Sequence, residues 1–189
     1  MILAPDNEYS AVLDTCVLAP MPLCDLLLRC AEEPALYRPF WSEETLVELR
    51  RTLLKFGMTE EKTNYRIRTM QREFPEASVV VSQQLVRAIA ELPDPSDRHV
   101  VAAAILAKAD VIVTGNLKHF PKEMPAPYHL LAQSPDEFLQ HQYHLNPVVM
   151  LEKLDNQASA IGRSRQDILV KLEVPAPLFA KAVRERQGL

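Results

Sequence analysis

Ser10-Ala11-Val12-Leu13-Asp14-Thr15 is the stretch on which the fold turns. Ala11-Val12-Leu13 reads as a short core strand, an apolar run bounded by polar residues. Asp14 ends it with a carboxylate, which is costly to half-bury without a partner. In open α/β sheets, ligands bind beyond the carboxyl ends of the strands. Asp14 therefore stands where a metal or phosphate site belongs. Three later segments offer polar partners: Glu48, Asp97 and Asn116.

Outward from that strand, further strands are expected over 36–40, 77–81 and 110–114, with an edge strand over 128–131. Helices are expected over Leu23–Cys30, from Ser42 through Leu54, from Thr59 through Glu73, over Val100–Lys108 and over Asp136–Gln142. Strands alternating with helices predict an α/β fold, a mostly parallel sheet covered on both faces. After Asn146-Pro147 only helices are expected: Val148–Ile161, Ser164 through Glu173, and a closing helix through Arg186. The division this predicts is a domain over 1–144 and a small all-helical extension over 145–189.

With 189 residues the chain can build one good core and a small appendage. Its formal net charge of −4 speaks against a protein that holds nucleic acid by bulk charge, though not against a local patch. Arg50, Arg51, Lys55, Lys62, Arg66, Arg68 and Arg72 are offset only by Glu60 and Glu61 in that stretch. They read either as a solvated helix face or as a rim that tracks phosphates beside an acidic centre. Cys16, Cys24 and Cys30 lack CxxC spacing, which predicts free thiols in a reducing compartment rather than a zinc site. No apolar run approaches the roughly 20 residues needed to span a bilayer, and no secretory signal is visible. The expected location is the cytoplasm.

Each polar candidate also has a purely structural reading. Asp94 can cap a helix whose first residue is Pro95, which places Asp97 in the first turn, where a carboxylate suits the helix dipole. Arg98 then either pairs with Asp94 or reaches a phosphate at the mouth of a site. Asn116 can be a turn residue. Glu48 lies off the apolar stripe of Leu46, Leu49 and Leu53 and can pair with Arg51 or Thr52. The five histidines offer no metal-ligand spacing, and His99 reads as a packing or capping residue. Taken together, grouped carboxylates repel, and a bound Mg²⁺ or Mn²⁺ relieves that repulsion. Oxygen donors select such hard ions, which can polarise a phosphodiester and activate water.

Leu13-Asp14-Thr15, the helix Ser42–Leu53, the turn Asp94-Pro95-Ser96-Asp97-Arg98-His99-Val100 and Val113-Thr114-Gly115-Asn116-Leu117 resemble the PIN domain in order and spacing. The resemblance covers roughly residues 9–142. It implies a Rossmann-like sheet and a metal-dependent endoribonuclease. It gives Asp14, Glu48 and Asp97 as core acids and cation ligands, with Thr15 and Thr114 as supporting hydroxyls. Many members are VapC-type toxins, neutralised by a small antitoxin and often dimeric. The helical tail resembles the appendage of one bacterial subgroup. The family's fourth position is commonly aspartate; here it is Asn116, which removes one negative charge. Asp94, near in sequence, can compensate, in competition with its capping role. RNA is the implied substrate, with Arg50, Arg51 and Arg98 as its contacts. Two other readings remain. One is a binding module for RNA or protein whose site Asn116 has weakened. The other is a phosphotransferase with Asp14 as nucleophile, against which Cys16 stands where a second aspartate is needed.

Overall fold

Five strands form one parallel sheet in the computed structural model, which describes residues 9–89, 92–120 and 130–187. They are β1 (Ser10–Leu13), β2 (Arg38–Ser42), β3 (Ser78–Val79), β4 (Val111–Val113) and β5 (Leu131–Gln133), in the order β3-β2-β1-β4-β5. The period-2 alternation of a strand decides what each face carries. Ala11, Leu13, Val111 and Val113 pack in one core, while Val12 and Ile112 pack in the other. All six are fully buried, which is why these runs are apolar throughout rather than alternating.

Helices cover both faces. One side carries α1 (Thr15–Leu18), α2 (Met21–Ala31), α3 (Glu43–Lys55) and α4 (Glu60–Glu73). The other carries α5 (Gln83–Ala88) and α6 (Arg98–Ala107), whose Val100-Val101-Ala102-Ala103-Ala104 run lies against Val12 and Ile112. Small alanines allow α6 to approach the sheet closely.

The predicted elements recur with shifted bounds. β2 begins two residues later than expected, so Ser42 both ends the strand and caps α3, accepting from the Thr45 N–H at 3.0 Å. The expected 77–81 strand pairs only over Ser78–Val79 and is followed by the unanticipated α5, capped by Ser82. A single turn, α1, follows Asp14 and was also unanticipated. The edge strand lies at Leu131–Gln133; residues 128 and 129, with His129, lie outside the described residues.

The C-terminal part is all-helical: α7 (Pro135–Leu145), α8 (Pro147–Ala160), α9 (Arg165–Leu172) and α10 (Pro177–Gln187). Ser134 and Glu137 form a capping box at the start of α7. Met150, Leu154, Leu169 and Phe179 belong to the same apolar cluster as Leu26, Leu27 and Phe138. Two polar clamps hold the helices in place. Lys153 donates to the carbonyls of Glu32 and Glu33 at 2.8 and 3.1 Å. The Asp136 carboxylate accepts from the N–H groups of Leu178 and Phe179 at 3.3 and 2.8 Å. Phe179 is fully buried, so Phe179→Ala is expected to cost about 3–5 kcal/mol. Thermal denaturation should show one transition at lower temperature. An early transition of the tail with the main melting point unmoved would contradict a shared core.

Candidate functional site

The strand order fixes where a site can form. From β1 the chain steps to β2 on one side, and β4 lies on the other, so loops beyond the strand ends diverge around β1. Asp14 sits at that divergence. Its backbone N–H donates to Val113 at 3.1 Å, and its side chain is 4% exposed. Asp14 Oδ2 accepts from the Thr114 hydroxyl at 2.7 Å and the Cys16 thiol at 3.0 Å. The Thr114 oxygen in turn accepts the Asn116 N–H at 3.0 Å.

Glu48 reaches the same place from α3. Its Oε2 accepts from the Thr15 hydroxyl at 2.8 Å, and its Oε1 lies 3.3 Å from His99 Nε2. Partial burial opposes ionisation, but His99 and Thr15 outweigh it and hold the Glu48 carboxyl below its ordinary value. Asp97 ends a 3-10 turn (Pro95–Asp97) just before α6. Burial, together with the charges of Asp14 and Asp94, raises its carboxyl, against the pull of His119.

One cavity of about 410 Å³ is lined by Asp14, Thr15, Cys16, Glu48, Asp97 and Asn116, among others. Residues up to 102 positions apart in sequence, Asp14 and Asn116, thus meet at one edge of the sheet. Asp94 is not among its lining residues. It caps the turn before α6, with Oδ1 accepting from the Ser96 N–H and hydroxyl at 2.9 and 2.7 Å, and these bonds lower its carboxyl. Arg50, Arg51 and Arg98 do not line the cavity either. Arg50 pairs with Glu60 at 3.1 Å and Arg51 with Glu44 at 3.8 Å.

The sequence reading missed His119. Its Nδ1 lies 2.9 Å from Asp97 Oδ2 and 3.8 Å from Asp94 Oδ2. Asp94, Asp97 and His119 each offer a ligand atom, and these lie within 4.8 Å of one another. Among the described residues this is the one acid–histidine group so closely spaced; Asp14 and Glu48 share the cavity but fall outside that spacing. Local spacing carried no signal for this contact, since His119 stands 22 positions from Asp97. His119 follows Asn116 by three residues in a 3-10 turn (Leu117–His119), where positions i and i+3 eclipse.

A family model described as PIN domain matches residues 10–118, well over half of the chain. The chain belongs to the PIN domain family. The Rossmann-like sheet and helical extension follow the expected PIN architecture. Forty-nine residues are 55% identical to a Mycobacterium tuberculosis protein named "Putative ribonuclease VapC50". That match spans 26% of this chain and 29% of the relative. No helix among the described residues is long and apolar enough to cross a membrane.

The cavity holds one thiol, and its surroundings disfavour the thiolate. Burial first, and then the Asp14 charge, push Cys16 up to about 12, although Thr114 and the Gly115 N–H favour its thiolate. Cys24 and Cys30 are buried. In the folded protein at mildly alkaline pH, Cys16 should alkylate with iodoacetamide more than about tenfold slower than a free thiol. Mass spectrometry of timed aliquots would show it; rapid labelling of Cys16 would mean that its bonds to Asp14 and Gly115 are not maintained in solution.

Proposed function

We propose that the acidic cavity binds RNA through a divalent cation and hydrolyses it only weakly. The carrying observation is the distribution of ligands. The close cluster is Asp94, Asp97 and His119, whereas Asp14 and Glu48 stand further off and Asn116 is uncharged. The donor set fits a cation. Asp14 Oδ2 is occupied by Thr114 and Cys16, and Asp97 Oδ2 by His119, and the second oxygen of each carboxylate is left for an ion. Carboxylates with retained waters suit a hard ion, Mg²⁺ or Mn²⁺. Asp14, Glu48 and Asp97 would hold the ion, directly or through water. Bound there, it would polarise a phosphodiester and acidify a water.

The chain's own groups do the rest. Thr114 and Thr15 orient Asp14 and Glu48. Asn116 supplies a neutral carbonyl where a carboxylate would draw the proton from water and add charge for a second ion. Arg50 and Arg51 are already paired with acids, so as phosphate contacts they give weak, salt-sensitive attraction. Arg98, at the start of α6, is the third such contact. Single-stranded or looped RNA suits a cleft of this kind.

The second reading is a fully active endoribonuclease, the toxin of a toxin–antitoxin pair. The 55% identity with a protein named as a VapC ribonuclease favours it. It brings with it a small antitoxin, a homodimer, a cytoplasmic location, and residues 145–189 as an appended unit beside a nuclease domain over 1–144.

RNA cleavage in Mn²⁺ separates the two. For the weak site, the parent should be near silent and Asn116→Asp should raise cleavage at least about tenfold, the scale of a catalytic group's contribution. A robustly active parent establishes the second reading. In either case Asp14→Asn should abolish metal-dependent turnover with the fold intact by circular dichroism. Undiminished cleavage by that variant would remove Asp14 from the chemistry.

A further inference from the structure

We propose that His99 is a positioning residue for Glu48: its imidazole fixes the carboxylate for the cation, and Ser42 decides which ring nitrogen carries the proton. The inference rests on the reading of the cavity as a cation site.

His99 is the second residue of α6 and is 6% exposed. Its Nδ1 lies 2.7 Å from Ser42 Oγ. That oxygen already accepts from the Thr45 N–H at 3.0 Å and lies 2.9 Å from the Thr45 hydroxyl. A serine hydroxyl has one proton and two lone pairs. The Thr45 N–H fills one lone pair. The Thr45 hydroxyl can donate or accept here; as donor it fills the other, which sends the Ser42 proton to Nδ1. A neutral imidazole that accepts at Nδ1 donates at Nε2. Nε2 is buried without an aligned hydrogen-bond partner and sits 3.3 Å from Glu48 Oε1.

A buried N–H is costly without an acceptor, so the carboxylate and the ring hold each other. Thr15 takes the other Glu48 oxygen from the opposite side. The Thr15 hydroxyl of α1 and the His99 ring of α6 thus each stand against one oxygen of the carboxylate. A histidine that merely filled space at the start of α6 would not need its one free nitrogen against an acid of the cavity. Groups that orient a metal's ligands typically change affinity by about 10–100-fold.

Calorimetric Mn²⁺ affinity tests this on the full chain. His99→Leu keeps the volume and removes the donor, and should weaken binding about tenfold. His99→Gln, which restores an N–H at the position of Nε2, should recover most of it. In a Glu48→Gln background, His99→Leu should have no further effect. Unchanged affinity in His99→Leu overturns the inference and leaves the cation site standing. Equal weakening in the Glu48→Gln background also overturns it. A parent that takes up no Mn²⁺ overturns the cation reading and this inference together. Should His99→Leu fail to fold, nitrogen NMR of the parent still decides: the Nε2-protonated tautomer supports the inference, and the Nδ1-protonated form overturns it.

Discussion

The hydrogen bond from Thr114 to Asp14 is the contact on which the site depends. It exists because β1 and β4 are parallel and in register, with Leu13 opposite Val113. The next residue of each strand, Asp14 and Thr114, therefore emerges at the same end of the sheet. In an antiparallel pair those positions would lie at opposite ends, and no hydroxyl would meet the carboxylate. The backbone bond from Asp14 to Val113 locks the register one residue beyond the strands. Every other group in the cavity arrives on a helix or turn set by that sheet edge. α3 brings Glu48, the turn before α6 brings Asp97, and the turn after β4 brings Asn116.

How much of this was legible varied with the physics involved. β1 and β4 were read correctly because burial on both faces leaves an uninterrupted apolar run. β2 was displaced because Leu36 and Tyr37 are buried although they precede the strand. Tyr37 is held under α2, its hydroxyl donating to Leu27 at 2.9 Å. Hydrophobicity reports burial, and here the burial belonged to a loop. At the edge, Val80 is β-branched yet 71% exposed, because only two residues of that run find a partner strand. The helices from α7 onward lie where they were expected, and Ser134, Asn146 and Ser164 each accept from a first-turn N–H at the starts of α7, α8 and α9.

The site was legible as a set of positions and illegible as a set of bonds. Asp14, Glu48, Asp97 and Asn116 were each named for being polar beside an apolar element, and all line one cavity. The structural alternative for Glu48, a pair with Arg51 or Thr52 along its own helix, is not the contact that forms; it meets Thr15 and His99, and Arg51 ion-pairs with Glu44. Local spacing shows only neighbours within one element, while the partners of Glu48 come from two others, α1 and α6. His119 was passed over for the same reason. Nothing in the sequence says that the turn after β4 folds back onto the turn before α6.

The choice of partners carries a physical consequence. Among the described residues, no lysine or arginine forms an ion pair with Asp14, Glu48 or Asp97, although such pairs occur elsewhere on the surface. The donors are hydroxyls, a thiol and imidazoles: Thr114 and Cys16 on Asp14, Thr15 and His99 on Glu48, and His119 on Asp97. A lysine would orient a carboxylate equally well but would cancel its charge and compete with a cation for it. A hydroxyl or thiol donor, as on Asp14 and from Thr15 on Glu48, fixes direction and leaves the negative potential in place. The cost is repulsion between the acids, visible in Asp97, whose carboxyl burial and the neighbouring Asp14 and Asp94 charges push upward. A fold that needed only stability would relieve that repulsion with a basic side chain. Among the described residues no lysine or arginine does so, and the repulsion is retained.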